Sequence, residues 1–417
     1  MKRSLILVAL FLPFFFPAQD TLKISLKQAD SIFLKNNFSL LAARLNIDRQ
    51  KAAIIQAKLY PNPVLTADFN AYDPENKKAF HVDETGQKSF EIDQVILLGG
   101  KRKAEIELAK SNAQIAELEF ENLLRQLKYE LHTALFIIHQ QKQLLAKYTA
   151  QLSLLDTIVQ SYDVQSKKGN IPLKESIRLK SVYLNLNNQR SEVYSDYFEQ
   201  LAKIQLLLQV SNIVELKFDE SSFGKFNKDV TLKDIYDLAY KNRPDYKIEE
   251  KNLELAKQYI AYQKKLAIPD VHLIASYDQR GGAFNNQINS GLSIPLPFWN
   301  RNQGNIKAAR YSGKMAEYSV ALAKQKIEAE IQLGYNQYKI AVYDYGKASQ
   351  HYSSEFDEVV KGITSNFQKR NITLIEFVDF FESYNSALNE VARAKTQLVI
   401  SSQQLNYLTS NEIFTNE

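Results

Sequence analysis

The sequence predicts a mainly α-helical fold with two very long antiparallel helical hairpins, each preceded by a pair of β-strands. Proline is absent between Pro74 and Pro172 and again after Pro297. Because proline costs a helix interior ~3 kcal/mol, such gaps can hold long helices. The apolar residues in both gaps recur at the period of 3.5 that is typical of coiled coils. Segments of about ten residues with period two precede each gap, as expected of strands.

Composition excludes several classes of protein. The chain has 417 residues, no Cys and a net charge of +5 at pH 7. Without Cys there can be no disulfide scaffold, Cys-ligated metal site, thiol nucleophile or acylated lipoprotein anchor. The positive excess is dispersed and forms no basic block, which argues against nucleic acid as a partner.

The first residues predict a secretory signal peptide over residues 1–18. Lys2 and Arg3 precede the apolar run Leu5–Phe16, which ends at Pro17-Ala18-Gln19. An uncleaved anchor is the alternative, but about twelve apolar residues are too few to span ~30 Å of hydrocarbon. The rest of the sequence has no apolar run near 18 residues, so a chain that spans a membrane would have to do so as a β-barrel.

Each proline-free stretch predicts one long helix, a short break and a helix that runs back. The first long helix is expected at residues 101–166 and its return at 173–209, and the second pair is expected at 304–366 and 374–409. Each long helix would measure about 90–100 Å. The breaks are Lys167–Pro172, where Gly and Asn suit a left-handed cap, and Gln368–Thr373. The heptad seams comprise Leu124, Leu127, Leu131, Ala134, Ile138, Gln141, Leu145, Tyr148, Leu152, Leu155, Val159 and Tyr162 in the first helix, and Tyr335, Tyr338, Val342, Tyr345, Ser349, Tyr352, Phe356, Val359 and Ile363 in the second.

Strands are predicted at residues 62–72, 88–97, 270–280 and 286–296. Their length fits a tilted membrane strand, and it fits a half-buried strand of a soluble sheet equally well. The order helix, two strands, long helix, turn, helix occurs twice at an offset of 200–207 residues. The chain is therefore predicted to consist of two repeats, at residues 19–215 and 216–417.

Four motifs give the sequence its resemblance to a known family. They are Tyr60-Pro-Asn-Pro63, Gln94-Val-Ile-Leu-Leu-Gly-Gly-Lys-Arg102, Pro295-Leu-Pro-Phe-Trp-Asn-Arg-Asn-Gln-Gly304 and Asn371-Ile-Thr-Leu-Ile-Glu376. These motifs occur in this order within the two repeats. Together they make residues 22–410 resemble the TolC-family outer-membrane efflux proteins, in particular their heavy-metal and cation branch. Many close relatives are lipoproteins, whereas this chain has no Cys to acylate.

The resemblance implies a homotrimer in the outer membrane. Each chain would give four strands to a shared twelve-stranded barrel, and the helices would form a tunnel across the periplasm. The implied function is a passive exit duct that works with a periplasmic adaptor and an inner-membrane pump of the resistance-nodulation-division or ABC class. Four strands cannot close a barrel alone, and open edges cannot face lipid, so oligomerisation agrees with this architecture.

Two groups of site residues follow. The polar side of the strands is expected to line the barrel lumen, the alternative being that it faces water in a soluble sheet; its residues are Thr66, Asp68, Asn70, Glu91, Asp93, His272 and Asp278. The segment Thr373–Asp379 is similar to the family's aperture region, where Glu376 and Asp379 match acidic gating positions. Their expected partners at the neighbouring turn are Asp163, Lys167, Lys168 and Lys174, and the alternative is that all of these are solvated helix-end charges.

No catalytic, cofactor or metal site is expected. His132 and His139 lie one heptad apart, whereas a metal pair on one helix normally needs i, i+4 spacing. Gly99-Gly100-Lys101-Arg102 lacks the full spacing of a phosphate-binding loop and suits a strand-to-helix exit. The competing interpretation is a secreted coiled-coil adaptor or stalk without channel activity, which the heptads alone would suit equally well.

Overall fold

The computed structural model describes residues 21–281, 283–352 and 355–415, and the predicted signal peptide at 1–18 lies outside these ranges. The fold is mainly helical. The first half of the chain contains β1 (Thr21–Ile24), α1 (Leu26–Asn36), α2 (Phe38–Ala57), β2 (Val64–Phe69), β3 (Tyr72–Asp73), β4 (Lys78–Ala79), β5 (Gln87–Ile96), α3 (Lys101–Lys167) and α4 (Leu173–Leu208).

The second half follows a similar order of elements. It contains β6 (Ile213–Leu216), a 3₁₀ helix (Glu220–Phe226), α5 (Leu232–Asn242), α6 (Pro244–Leu266), β7 (Val271–Arg280), β8 (Phe284–Ser293), α7 (Gln303–His351), α8 (Glu355–Gln368) and α9 (Leu374–Thr409). None of the helices in the described ranges is both long enough and apolar enough to cross a membrane.

The structure differs from the sequence prediction in the bounds of two strands and in the second seam. The second long helix, predicted at 304–366, comprises α7 and α8, and residues 353 and 354 between them lie outside the described ranges. The predicted strands at 62–72 and 286–296 are Val64–Phe69 and Phe284–Ser293, so Asn70 lies just beyond the end of β2. Val359, predicted to lie in the second seam, is 47% exposed, and Val360 packs on the core instead.

The described residues form two compact units, which we treat separately. The helical unit comprises the described parts of 1–38, 125–235 and 332–417, and the sheet unit comprises those of 39–124 and 236–331. In the helical unit, β1 and β6 pair in parallel, Thr21 with Ile213 through Ile24 with Leu216.

The core of the helical unit is the seam between the two hairpins. Every predicted seam position of α3 is buried or half-buried, and Leu131 and Leu155 have no measurable exposure. Apolar side chains of α3, α4, α8 and α9 form one cluster, in which the rings of Phe367 and Phe377 stack with centroids 4.3 Å apart. The two hairpins therefore pack against each other close to their turns.

The sheet unit contains a four-stranded antiparallel sheet in the order β2-β5-β7-β8. At one end of the sheet, β2 and β7 begin shortly after helices α2 and α6, and β5 and β8 lead into α3 and α7. At the other end, residues 70–86 join β2 to β5, and a short connection joins β7 to β8. The helices therefore all leave from the same end of the sheet.

Candidate functional site

The sheet has one polar face and one apolar face. Residues directly opposite each other on neighbouring strands point to the same side. Thr66 pairs with Glu91, and Glu91 pairs with Ser276. Asp68 pairs with Ser89, which pairs with Asp278. Since side chains alternate along each strand, Asp93 and His272 lie on this polar face as well.

The predicted lumen residues of the strands thus share one face. Thr66, Asp68 and Glu91 are exposed, whereas Asp93, His272 and Asp278 are half-buried. The imidazole Nδ1 of His272 lies 3.0 Å from Oδ2 of Asp93, so these two side chains are hydrogen-bonded to each other. Asn70 follows the end of β2, and its backbone N–H donates to the carbonyl of Gln87, which extends the pairing of β2 with β5 by one residue.

The opposite face is apolar and open. It exposes large side chains on all four strands, with exposed fractions from 39% to 81%. They are Leu65, Phe69, Phe90, Ile92, Leu273, Ile288 and Leu292. The rings of Phe69 and Phe90 contact each other across β2 and β5, 5.7 Å between centroids. An apolar face of this size on a soluble monomer is unusual and marks an interaction with lipid or another protein.

The turn between α3 and α4 holds four of the predicted gate residues. Gly169 adopts a φ of +77° there, the left-handed cap expected at this break. Asp163 accepts hydrogen bonds from the ammonium groups of Lys180 and of Lys167, the latter at 2.9 Å. These bonds lower the pKa of Asp163 to about 2. Lys168 and Lys174 are exposed.

The turn between α8 and α9 has the same construction. Arg370 takes the left-handed conformation, and the Asn371 N–H donates to the carbonyl of Asn366 as Asn170 N–H does to Gln165. Thr373 then caps α9 through its side chain, which accepts from the Glu376 N–H. In return the Glu376 carboxylate accepts from the Thr373 N–H at 2.7 Å and from its hydroxyl at 2.8 Å.

The hydrogen bonds of this capping box determine the ionisation of Glu376. Hydrogen bonds from the Thr373 backbone and hydroxyl favour the charged carboxylate and lower its pKa. Asp379 lies one turn further along, and both side chains are exposed. Among the described residues of one chain, no ion pair joins Glu376 or Asp379 to the predicted partners Lys167, Lys168 and Lys174.

Sequence reasoning missed two partners at these turns. Lys180 reaches Asp163 from α4, across a hairpin whose register the sequence does not specify. The Thr373–Glu376 capping box carries a visible signal, since a Thr three residues before a Glu at a helix start is the sequence pattern of this motif.

The two histidines of α3 occupy structural positions. His132 is 9% exposed, and its Nε2 lies 2.7 Å from Oδ1 of Asp30. The ring of His139 contacts Phe218 at 5.4 Å between centroids. Across the described ranges no group of three or more His, Asp or Glu is arranged to hold a metal ion.

Comparison with known proteins supports an efflux-protein relationship. Residues 235–411 match the family described as outer membrane efflux protein. Over 370 residues the chain is 20% identical to the cobalt-zinc-cadmium resistance protein CzcC of Cupriavidus metallidurans, with coverage of 87% of this chain and 84% of that protein. The family resemblance inferred from the motifs is confirmed.

The fold is similar to those of solved channels. The outer membrane channel CmeC of Campylobacter jejuni gives a TM-score of 0.74 at 13% identity, over 92% of this chain and 85% of that chain. The open state of the MtrE outer membrane channel of Neisseria gonorrhoeae gives 0.66 at 14% identity, over 93% and 89%. At these identities the similarity concerns the fold alone.

Proposed function

We propose that this chain, a relative of the outer membrane efflux proteins, is the outer-membrane channel of a tripartite efflux pump. It would be a passive duct through which solutes leave the cell. The observation that supports this most directly is the sheet with one polar and one exposed apolar face. Lipid would cover the apolar side, and the polar side would line a water-filled pore.

The proposal includes a trimer. Within the described residues the sheet ends at β2 and β8, whose outer edges have no strand partner. An unpaired edge cannot lie in hydrocarbon, and four strands are too few for a barrel. If β8 of one chain pairs with β2 of the next, three chains give a closed barrel of twelve strands. Thr66, Asp68, Asn70, Glu91, Asp93, His272 and Asp278 would face its lumen.

The location and partners of the channel follow from this architecture. The barrel would lie in the outer membrane and the helices in the periplasm, where an adaptor would connect them to an inner-membrane pump of the resistance-nodulation-division or ABC class. The name of CzcC refers to resistance to cobalt, zinc and cadmium. Metal cations are therefore the favoured cargo, with drugs as the alternative.

An internal duplication over residues 19–215 and 216–417 is part of the proposal. Two features support it. Helices and strands recur in similar order in both halves. The hydrogen bonds of the two hairpin turns also match, with Asn170 and Asn371 at equivalent places.

The gate is proposed at the two hairpin turns. Glu376 and Asp379 are exposed on one side of α9, and three chains would bring six carboxylates to a common opening. Repulsion among them, or their pairing with cations, would then set the width of the opening. Lys167, Lys168 and Lys174 remain candidates for pairing between chains.

Conductance in planar bilayers tests the proposed function. The purified full-length protein should insert and give discrete conductance steps, and it should fractionate with outer membranes as a trimer that dissociates in SDS. A secreted coiled-coil adaptor or stalk would extract readily and would never conduct. Absence of conductance from correctly assembled trimers would contradict the proposal.

A further inference from the structure

We propose that the helix end of the sheet carries a phospholipid-binding belt formed by Lys58, Tyr60, Arg102, Lys265, Trp299 and Arg301. The belt would seat the anionic headgroups of one leaflet. This inference rests on the proposed function, because it assumes that the apolar face of the sheet lies in a membrane.

Contacts link the belt residues across three of the four junctions between strand and helix. The Arg102 guanidinium stacks on the ring of Tyr60, 3.7 Å from its centroid, and donates to the carbonyl of Lys58 at 3.2 Å. The Lys265 ammonium donates to the carbonyl of Gly100 at 3.2 Å. These bonds join the ends of α2 and α6 to the start of α3.

The fourth junction adds the aromatic part of the belt. The Asn302 side chain donates to the carbonyl of Gln263 at 2.7 Å, which fixes the segment between β8 and α7 to the end of α6. Within this segment Arg301 Nε donates to the carbonyl of Pro297 at 3.2 Å. The indole of Trp299 is 88% exposed although its backbone is held in place by Gln303.

The apolar face of the sheet continues into this segment. Ile288 and Leu292 on β8 are exposed, and Ile294, Leu296 and Phe298 extend the same alternation, with exposed fractions of 46%, 65% and 64%. Trp299 and Tyr60 therefore stand where an apolar surface gives way to charged groups. Aromatic rings with a polar edge prefer this depth of a bilayer.

The charges at this end of the sheet complement phosphate. Carboxylates here are already engaged, since Asp270 pairs with Lys101 at 2.7 Å and Glu105 accepts from the Tyr262 hydroxyl at 2.6 Å. Among the described residues, none of the four belt cations forms an ion pair with a carboxylate; Lys58 and Arg301 are exposed, and Arg102 and Lys265 are half-buried. At the opposite end, residues 70–86 contain four carboxylates and two lysines, and Arg280 at the end of β7 adds a third cation. This contrast assigns the phosphate-rich headgroups to the helix end.

The sole tryptophan of the chain makes the belt directly observable. The full-length protein would be reconstituted in vesicles of phosphatidylcholine and phosphatidylglycerol that carry a nitroxide near the headgroup or near the end of the acyl chain. Trp299 fluorescence should be quenched more by the shallow label than by the deep one, and only weakly by aqueous iodide. Quenching by iodide alone, or protection from all quenchers, would overturn the belt, the latter because another protein surface would then cover Trp299.

A second reporter separates the belt from the proposed function. In the variant Leu292→Trp with Trp299→Phe, fluorescence reports the apolar face and should be quenched mainly by the deep label. If neither reporter meets lipid, the membrane channel itself is refuted. If only the reporter at Leu292 meets lipid, the channel stands and the belt is wrong.

The charge component has its own variant and control. In the native protein, spin-labelled phosphatidylglycerol should quench Trp299 about twofold more than the phosphatidylcholine analogue, well within what two surface cations can supply. Arg102→Gln with Arg301→Gln should abolish this preference. Lys77→Gln with Arg280→Gln removes equal charge at the other end and should leave it intact. If both variants lose the preference for phosphatidylglycerol equally, the preference arises from the net charge of the protein, and a localised belt is refuted.

Discussion

At the scale of single residues, the Glu376 carboxylate serves two purposes in this account. It closes the capping box with Thr373 at the start of α9. It is also proposed to face an opening shared by three chains. Only the proposed gating role needs the ionised carboxylate, and the Thr373 hydrogen bonds that close the capping box lower its pKa and keep it charged.

A double substitution separates the gate from the cap. Glu376→Gln with Asp379→Asn removes both charges, while Gln at this position still permits a capping box. We expect single-channel conductance to rise and block by multivalent cations, applied from the helix-tip side, to disappear.

The matched control is Glu382→Gln with Glu390→Gln, which neutralises two exposed carboxylates of α9 further from the turn. It should leave conductance and block unchanged. If the variant at Glu376 and Asp379 behaves like this control, those two residues are ordinary surface charges.

The lowered pKa of Asp163, at the turn between α3 and α4, predicts that the stability of the fold depends on pH. Its pKa in the folded state is about 2, against a usual value of 3.8, because Lys180 and Lys167 bond to the carboxylate. Because the pKa is lower in the folded state, the ionised carboxylate stabilises the fold at every pH above its usual pKa. This stabilisation is lost as the pH falls from about 4 towards 2. The stability difference between the native protein and Asp163→Asn should therefore be present at pH 5 and should vanish near pH 2.

The measurement is chemical denaturation of both proteins across this pH range. Asp156→Asn provides the comparison, since Asp156 lies on the same helix and bonds to the neutral Gln160. A difference for Asp163→Asn that persists unchanged to pH 2 would show that the two ion pairs do not stabilise the turn.

At the scale of elements, periodicity predicted the helices and strands where it was regular. The absence of Gly and Pro and the heptads located α3 almost to the residue, and alternation located the faces of β7. The pairing of β1 with β6 joins segments nearly 200 residues apart over only four residues each, too few for a periodic signal. The exposure of Val359 was missed because the heptad pattern of α7 was continued into α8 in a single register, whereas Val360 is the residue that packs on the core.

Substitutions in the α3 seam test the packing of the hairpins. Leu152 is 3% exposed in the cluster shared by both hairpins. Leu152→Ala should lower the free energy of unfolding by about 2–5 kcal/mol through the cavity it leaves. Leu152→Asp should lower it by about 3 kcal/mol or more, because it buries an unpaired charge.

Val164→Asp provides the control for these substitutions, because Val164 on the same helix is 49% exposed. It should change the free energy of unfolding by less than about 0.5 kcal/mol. Urea denaturation followed by circular dichroism measures all three variants. Trimers of Leu152→Asp with native stability would show that the seam is wrongly assigned.

At the scale of the whole molecule, what covers the two faces of the sheet decides whether the chain forms a membrane channel. The strand register places Asp68 on the polar face and Leu65 on the apolar face. Their alternation was predictable from the sequence, but the choice between a membrane strand and a strand of a soluble sheet was not. That choice depends on whether lipid, water or protein covers each face, and the sequence of a single chain does not specify what covers it.

Thiol modification during bilayer recording tests the channel most directly, since the native chain has no Cys. With Asp68→Cys, a charged thiol reagent should react and change the current stepwise, because the side chain would face a water-filled lumen. With Leu65→Cys, the same reagent should leave the current unchanged, because lipid would shield the thiol. Equal reaction at both positions, or no reaction at Asp68→Cys in a conducting trimer, would contradict the account.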